Sequence, residues 1–452
     1  MSAGVFDQIR AEAAAHPPVH AIGRVAEIGR GMVLVTGLTK TAAQGDRVGW
    51  TRRNQDFFGE IVRLSPAGAQ VMASGSTAGL AIGDAVRLLG PATLAPTDQW
   101  LGRIVDPDGM PLDDRPLPRG LETRRLDGAP PPAARRRALG VRLQTGMAVF
   151  NTLLPIAAGQ RLGLFAGSGV GKTTLLGDLA RGIEADVIVV AMIGERGREL
   201  RDFADRLLDT GHVARTVIVA ATSDQSALTR RRCLSSAMVV AEHFRDQGLH
   251  VLLLADSITR FAEAHREIAL SAGEGASLRG YPPSVAHMVT SLCERAGPGT
   301  IEMGDITAIF SVLVAGSDME EPIADILRGV LDGHVVLDRE IAERGRFPAI
   351  DLLRSVSRSL PEVATAAENA QIARARRLVG AYENAEIMIQ AGMYQAGSDP
   401  QVDEAIPAWP LIDAFITERE PGRVEDSFAR LGAYLEPRRD PAINANGTGA
   451  AP

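Results

Sequence analysis

The stretch of residues 163–182, GLFAGSGVGKTTLLGDLARG, restricts the possible folds of this 452-residue chain more than any other. An apolar run leads into a glycine cluster, a lysine, two threonines and then a helix-like pattern. Residues 166–173, AGSGVGKT, fit the phosphate-loop pattern G-x-x-x-x-G-K-[ST], with Ala166 in place of the first glycine. At the end of a strand φ is negative, so alanine is tolerated there. Gly167, Gly169 and Gly171 let the backbone turn its N–H groups inward onto phosphate oxygens, and a helix starting near Lys172 adds its positive end. Ser168, Val170 and Thr174 complete the nucleotide-binding segment. Lys172 is placed to reach the β- and γ-phosphates, and the Thr173 hydroxyl to bind Mg²⁺. The strand before and helix after the loop argue against an incidental glycine-rich turn.

The surrounding sequence has the matching rhythm. Between about 140 and 350 the apolar runs RLGLFAG, DVIVVAMIG, RTVIVAAT, HVLLLADS and ITAIFSVLVAG alternate with helical stretches. That alternation predicts a parallel sheet with helices on both faces. Residues 22–89 instead carry short Val- and Ile-rich runs punctuated by glycine, the signature of a small β-barrel or sandwich. A Pro-rich connector follows, reading as chain laid over a surface. From about 360 strands disappear and helix-forming residues dominate. Residues 1–20 read as a short Ala-rich helix with Phe6 and Ile9 on one side, stopped by Pro17-Pro18. It is either a frayed terminus or a docking helix. The expected division is 1–20, a regulator-docking segment; 21–92, a barrel; 93–360, the ATPase core with its connector; 361–436, a helical domain; and 437–452, a disordered tail.

Two further stretches supply carboxylates. HVLLLADSITRF places Asp256 at the end of an apolar run, beside the phosphate loop, where it can hold Mg²⁺ through water. In AMIGERGRELRDF, Glu195 also follows a buried run and projects into the same crevice, where a carboxylate can orient and polarise water. Glu199, one helical turn on, is placed to support the metal.

Composition closes off other classes. A net charge of -7 gives no global reason to wrap nucleic acid or coat an anionic membrane. The basic clusters ARRRALG (134–140) and TRRRC (229–233) read as solvated faces or subunit contacts. Two cysteines, Cys233 and Cys293, lack metal-site spacing and fit a reducing compartment. No H-x-x-x-H pair, membrane-length apolar run or signal-peptide core occurs. The expectation is a cytoplasmic protein.

GERGREL, DSITRFAEAHREIALSAGE, RGYPPSV, LCERAG, DMEEPIADILRGVLDGHVVLDREIAERGRFPAIDLLRSVSR and AGMYQAGSDP extend the pattern over residues 22–435. Together they resemble the hexameric ATPases related to the catalytic β subunit of rotary ATP synthases, in particular the type III secretion ATPases of the flagellum. The resemblance implies an α/β, RecA-like phosphate-loop core between an N-terminal β-barrel and a C-terminal helical domain. It implies Mg²⁺-dependent ATP hydrolysis by a homohexamer that energises or primes protein export. It makes Glu195 the catalytic glutamate, Arg358 an arginine finger for the neighbouring subunit's γ-phosphate, and Phe347 the ring that stacks on adenine. It also implies partners: a stator-like regulator at the N-terminus, a coiled-coil stalk, chaperone–substrate complexes and an export gate, with peripheral attachment to the inner membrane. Two stretches depart from the family. The loop GEGASLRG (273–280) lacks the usual prolines, and TGMAVFNTLLPI (145–156) lacks a frequent acidic residue.

A virulence injectisome ATPase shares nearly all these motifs. A rotary synthase subunit is disfavoured by the short N-terminus and the MYQAGSDP segment. An RNA translocase needs exposed aromatics for base stacking, and aromatics make up only 4% of the chain. A nucleotide-binding scaffold has no use for Glu195.

Overall fold

Alternation decides between barrel and sandwich at the N-terminal end. In the computed structural model, strands β1 (Ile22–Gly29), β2 (Met32–Thr36), β3 (Arg47–Arg52), β4 (Gln55–Ser65), β5 (Gly68–Ala73) and β6 (Ala85–Gly90) pair in the order β1-β2-β5-β4-β3-β6. β6 then returns to β1, so the sheet closes into a barrel. Val25, Val33, Val35, Val48, Ile61, Val71 and Val86 fill it, and Trp50 stacks on Phe57 with ring centres 6.0 Å apart. The structure describes residues 5–15, 19–29, 31–52, 55–207, 211–314, 319–420 and 422–436; the expected tail 437–452 lies outside them. Helix α1 (Val5–Ala15) matches the N-terminal expectation, with Phe6 and Ile9 both exposed.

The connector does more than cross a surface. β7 (Thr93–Leu94) pairs with β9 (Arg124–Arg125), and β8 (Arg103–Val105) adds an edge strand to the central sheet. Trp100 is buried, and the Arg103 guanidinium forks onto Asp113 at 2.6 and 2.7 Å.

The central sheet adds β10 (Arg161–Ala166), β11 (Val187–Glu195), β12 (Thr216–Thr222), β13 (Val251–Asp256), β14 (Ile306–Leu313), β15 (Gly333–Leu337) and β16 (Ile350–Ser357). Its order is β16-β15-β10-β14-β13-β11-β12-β8. The five predicted apolar runs are five of its parallel strands. The expected parallel sheet is present; β16, beyond those runs, adds an edge strand antiparallel to β15 after the short 338–349 link.

Successive residues of each buried strand face opposite layers. Leu162, Leu164, Ile188 and Val190 pack against one set of helices, α2 (Ala148–Asn151), α3 (Lys172–Gly182) and α4 (Gly197–Leu207). Phe165, Val187, Val189 and Ala191 pack against α5 (Ala227–Arg245), α6 (Ile258–Ser271), α7 (Pro283–Arg295) and α8 (Pro322–Val330). A short α9 (Arg339–Glu343), N-capped by Asp338, leads towards β16.

The helical domain comprises α10 (Ala366–Gln390), opened by a Thr365/Glu368 capping box, α11 (Pro400–Thr417) and α12 (Val424–Leu435). Its core is continuous with one face of the central sheet: Ile372, Leu378, Ile412, Phe415 and Phe428 join the cluster that holds Met147 and Leu352. Asn151, in the stretch without the frequent acid, is buried here. Its amide oxygen accepts from Thr145 and its amide nitrogen donates to Ser427 at 3.1 Å, tying core to helical domain.

The TRRRC arginines are not a solvated face, whereas Arg135 and Arg137 of the ARRRALG cluster are exposed. Arg231 and Arg232 on α5 both grip Glu60 of the barrel, Arg232 at 3.1 Å, and Arg232 and Arg47 converge on Asp108. Burial pushes the Glu60 carboxyl up, but the pull of the two guanidinium groups outweighs it and holds the acid below its ordinary value. Val62, Leu228, Ala264 and Ile268 form an apolar patch at the same junction. In the other cluster Arg136 pairs with Glu294 at 3.2 Å and Arg137 with Asp305 at 2.6 Å. No described helix is long and apolar enough to cross a membrane.

Candidate active site

The carboxyl ends of β10, β11 and β13 open onto one cleft of about 1700 Å³. Ala166, fully buried, ends β10 in ordinary extended backbone; among the described non-glycine residues only Asp114 and Arg279 have positive φ. Gly169 and Gly171 take φ of 81° and 88°, the left-handed turn that a side chain would resist. α3 begins at Lys172, so its unpaired N–H groups face the cleft.

Lys172 Nζ lies 2.5 Å from Asp256 Oδ1 at the end of β13. Ser311 of β14 donates to the same oxygen at 2.7 Å, and Thr173 Oγ1 stands 3.5 Å from Asp256 Oδ2. Asp256 is almost wholly buried, and these partners satisfy its oxygens. A hydroxyl and a carboxylate at the foot of a phosphate loop are hard oxygen donors suited to Mg²⁺, which takes most of its other ligands from phosphates and water. Among the described residues no group of three or more His, Cys, Asp or Glu forms a metal site by itself.

Glu195 ends β11, the strand beside β13, where Met192 pairs with Asp256. The register against β12 slips between Ile193 and Glu195, which re-aims the last side chain into the cleft. Burial, the nearby Asp256 charge and a hydrogen bond with Glu199 raise the Glu195 carboxyl to about 7, with Lys172 pulling the other way. Glu199 therefore acts on Glu195 directly.

The Phe347 ring closes over the start of α3: two of its carbons lie 3.3 and 3.5 Å from the position a Cβ on Gly171 would take. Half of its surface is open. Arg358 is elsewhere. It follows β16, whose Ser357 pairs with Gly333 at the start of β15, whereas the phosphate loop lies beyond Leu337 at the other end. The two ends are about 13 Å apart at roughly 3.3 Å per residue. The exposed Arg358 guanidinium rests on the Leu331 and Arg328 carbonyls, away from its own chain's Lys172.

Sequence reasoning missed Ser311 and Arg260. Ser311 is a polar residue in the middle of the apolar run ITAIFSVLVAG, a detectable signal. Arg260 lines the cleft one turn beyond Asp256, pairs with Glu263 at 3.1 Å and keeps its Nε without a partner. Its placement depended on where α6 begins.

Residues 146–357 match the ATP synthase alpha/beta family, nucleotide-binding domain, and residues 364–433 match the T3SS EscN ATPase C-terminal domain. A flagellum-specific ATP synthase of Caulobacter vibrioides is 44% identical over 93% of this chain and 97% of its own length. The chain belongs to the ATP synthase α/β family. Within that family it resembles flagellum-specific and injectisome members alike. The SPI-2 type 3 secretion system ATPase of Salmonella typhimurium is 45% identical over 79% of this chain and 82% of its own. The assembled ATPase EscN of enteropathogenic E. coli superposes with a TM-score of 0.85 at 35% identity, covering 92% of this chain and all of EscN. EscN in complex with its central stalk EscO gives 0.83 at the same identity and coverage. The family's barrel, parallel-sheet core and C-terminal helices are those described above.

Proposed function

We propose that this chain hydrolyses Mg²⁺-ATP at sites shared between neighbouring copies in a ring, and that the ring serves flagellar type III protein export from the cytoplasmic side of the inner membrane. The observation that carries the reading is the meeting of Lys172, Asp256 and Glu195 at adjoining strand ends. Phosphate oxygens lie on the loop N–H groups and Lys172. Phe347 stacks on the base. Thr173 and Asp256 would hold the metal, which would neutralise phosphate charge when bound. Glu195 accepts a proton from the attacking water and orients it towards the γ-phosphorus. Arg358 completes the adjacent copy's site.

The raised Glu195 carboxyl sets a pH dependence. Below about 7 the acid is mostly protonated and cannot accept a proton, so kcat/KM of the free enzyme rises through about pH 7 and then levels. Glu199→Gln removes a neighbouring charge and replaces a shared proton with an amide donor, so the rise moves to lower pH. The variant-to-wild-type activity ratio is then larger at pH 6 than at pH 8. An unmoved rise would show that Glu199 does not tune Glu195.

Flagellar export is favoured over the injectisome reading by the Caulobacter relative, which matches nearly end to end. The injectisome reading draws on SPI-2 and EscN. Deleting the gene in its host is expected to abolish filament export and swimming. Loss of effector secretion with swimming intact would favour the alternative. The exposed Phe6 and Ile9 of α1 suit a docked regulator, and the helical domain suits a stalk and chaperone–substrate complexes. A chain starting at Val19 is accordingly expected to keep ATP turnover while failing to restore full motility; loss of turnover would place α1 in the catalytic fold.

A further inference from the structure

The link between β15 and β16 is a partition between two cavities. On one side is the nucleotide cleft, with Asp338 and Glu340 in its wall. On the other is a cavity of about 460 Å³ that shares those two residues and is closed by Val379, Trp409 and Ile412 of the helical domain. The partition carries Phe347 against Gly171 and, one residue earlier, Arg346 in the wall of the second cavity. Phe347 follows Arg346 directly in a short bend before β16, so a constraint on the one limits where the other can stand.

Arg346 is held on all its edges. One guanidinium nitrogen donates to the Pro348 carbonyl at 3.3 Å and another to the Ile350 carbonyl at 2.8 Å, while Nε lies 2.9 Å from Asp413 on α11. Both partners are mostly shielded from water, which keeps the pair from being screened away. Arg344 adds a looser contact to Glu386 of α10, at 3.6 Å.

We infer that Arg346 is a positioning residue for nucleotide binding: by bridging the Phe347–Ile350 loop to Asp413, it makes the stance of the helical domain determine where the Phe347 ring stands. The inference rests on the reading of Phe347 as the base-stacking ring. By reciprocity, nucleotide that moves the ring also moves α11. Trp409, stacked on Tyr382 with ring centres 4.5 Å apart in the wall of the same cavity, is a built-in reporter.

The test uses the full-length chain and Asp413→Asn, which keeps the shape and removes the charge. ATP KM is expected to rise about 5- to 10-fold with kcat within about two-fold, the pattern of lost binding. In a Phe347→Ala background the same substitution adds nothing, because the ring through which it acts is gone. The change in Trp409 emission on adding ADP, measured against the constant signals of Trp50 and Trp100, is expected to be lost in Asp413→Asn. An unchanged KM overturns the inference, even if the melting temperature falls, since the pair would then be structural only. An equal KM increase with and without Phe347 also overturns it. If the wild-type chain hydrolyses no more ATP than Lys172→Ala, the functional reading itself fails and the relay falls with it.

Discussion

Lys172→Ala loses ATP turnover by about 10³-fold or more, because a fixed positive charge is removed from where charge grows on the transferring phosphoryl group. The fold survives the change. Lys172 contributes no apolar contact to either core cluster, and its removal leaves Asp256 with the Ser311 and Thr173 hydroxyls as partners. Steady-state ATPase assays paired with thermal melts read this out. Turnover above about a tenth of wild type would remove Lys172 from the phosphate-binding role, a far smaller loss than a transition-state contact gives. A collapsed melt would mean that the Lys172–Asp256 pair is structural.

Arg358→Ala has an effect of similar size, on the order of 10³-fold, but with different genetics. Arg358 lies a strand's length from its own phosphate loop and is exposed, the ground for proposing that it serves the next copy. Two dead proteins then make a live one. In a mixture of Arg358→Ala and Lys172→Ala chains, some interfaces combine an intact loop from the first with an intact finger from the second. Equal random mixing makes about a quarter of the interfaces complete in a ring of repeated heterologous contacts. Activity appears on mixing and increases with total protein concentration, while native mass spectrometry confirms mixed rings. Mixed rings that stay inactive, when wild-type and Lys172→Ala rings retain turnover, would exclude a role in trans.

The central strands were legible because each is almost continuously apolar, a pattern that burial on both faces explains. Asp256 and Glu195 were legible for the same reason: a charge ending such a run has to emerge at the sheet's edge. β8 and β16 were not. β8 is three residues inside a Pro-rich connector, and its burial comes from pairing with β12, which local sequence does not encode. β16, IDLLRSVS, mixes Asp351, Arg354 and two serines with its apolar residues, so it does not stand out as a buried run, and nothing in a single strand announces its direction. The arginines of TRRRC were misread because a charge run on a helix usually faces water; here the partner, Glu60, comes from another domain 171 residues away. The Arg346–Asp413 bridge escaped for the same reason. Long-range ion pairs have no periodicity to detect.

That clasp has a mechanical corollary. Glu60 sits between two guanidinium groups with apolar side chains sealing the joint, so parting barrel from core would break both ion pairs and expose the apolar patch to water in the same step. The barrel and α5 therefore turn as one rigid casting. In the proposed ring each copy would then have no slack between barrel and core, and a stroke driven by nucleotide is expected at the opposite rim, where the helical domain joins the core.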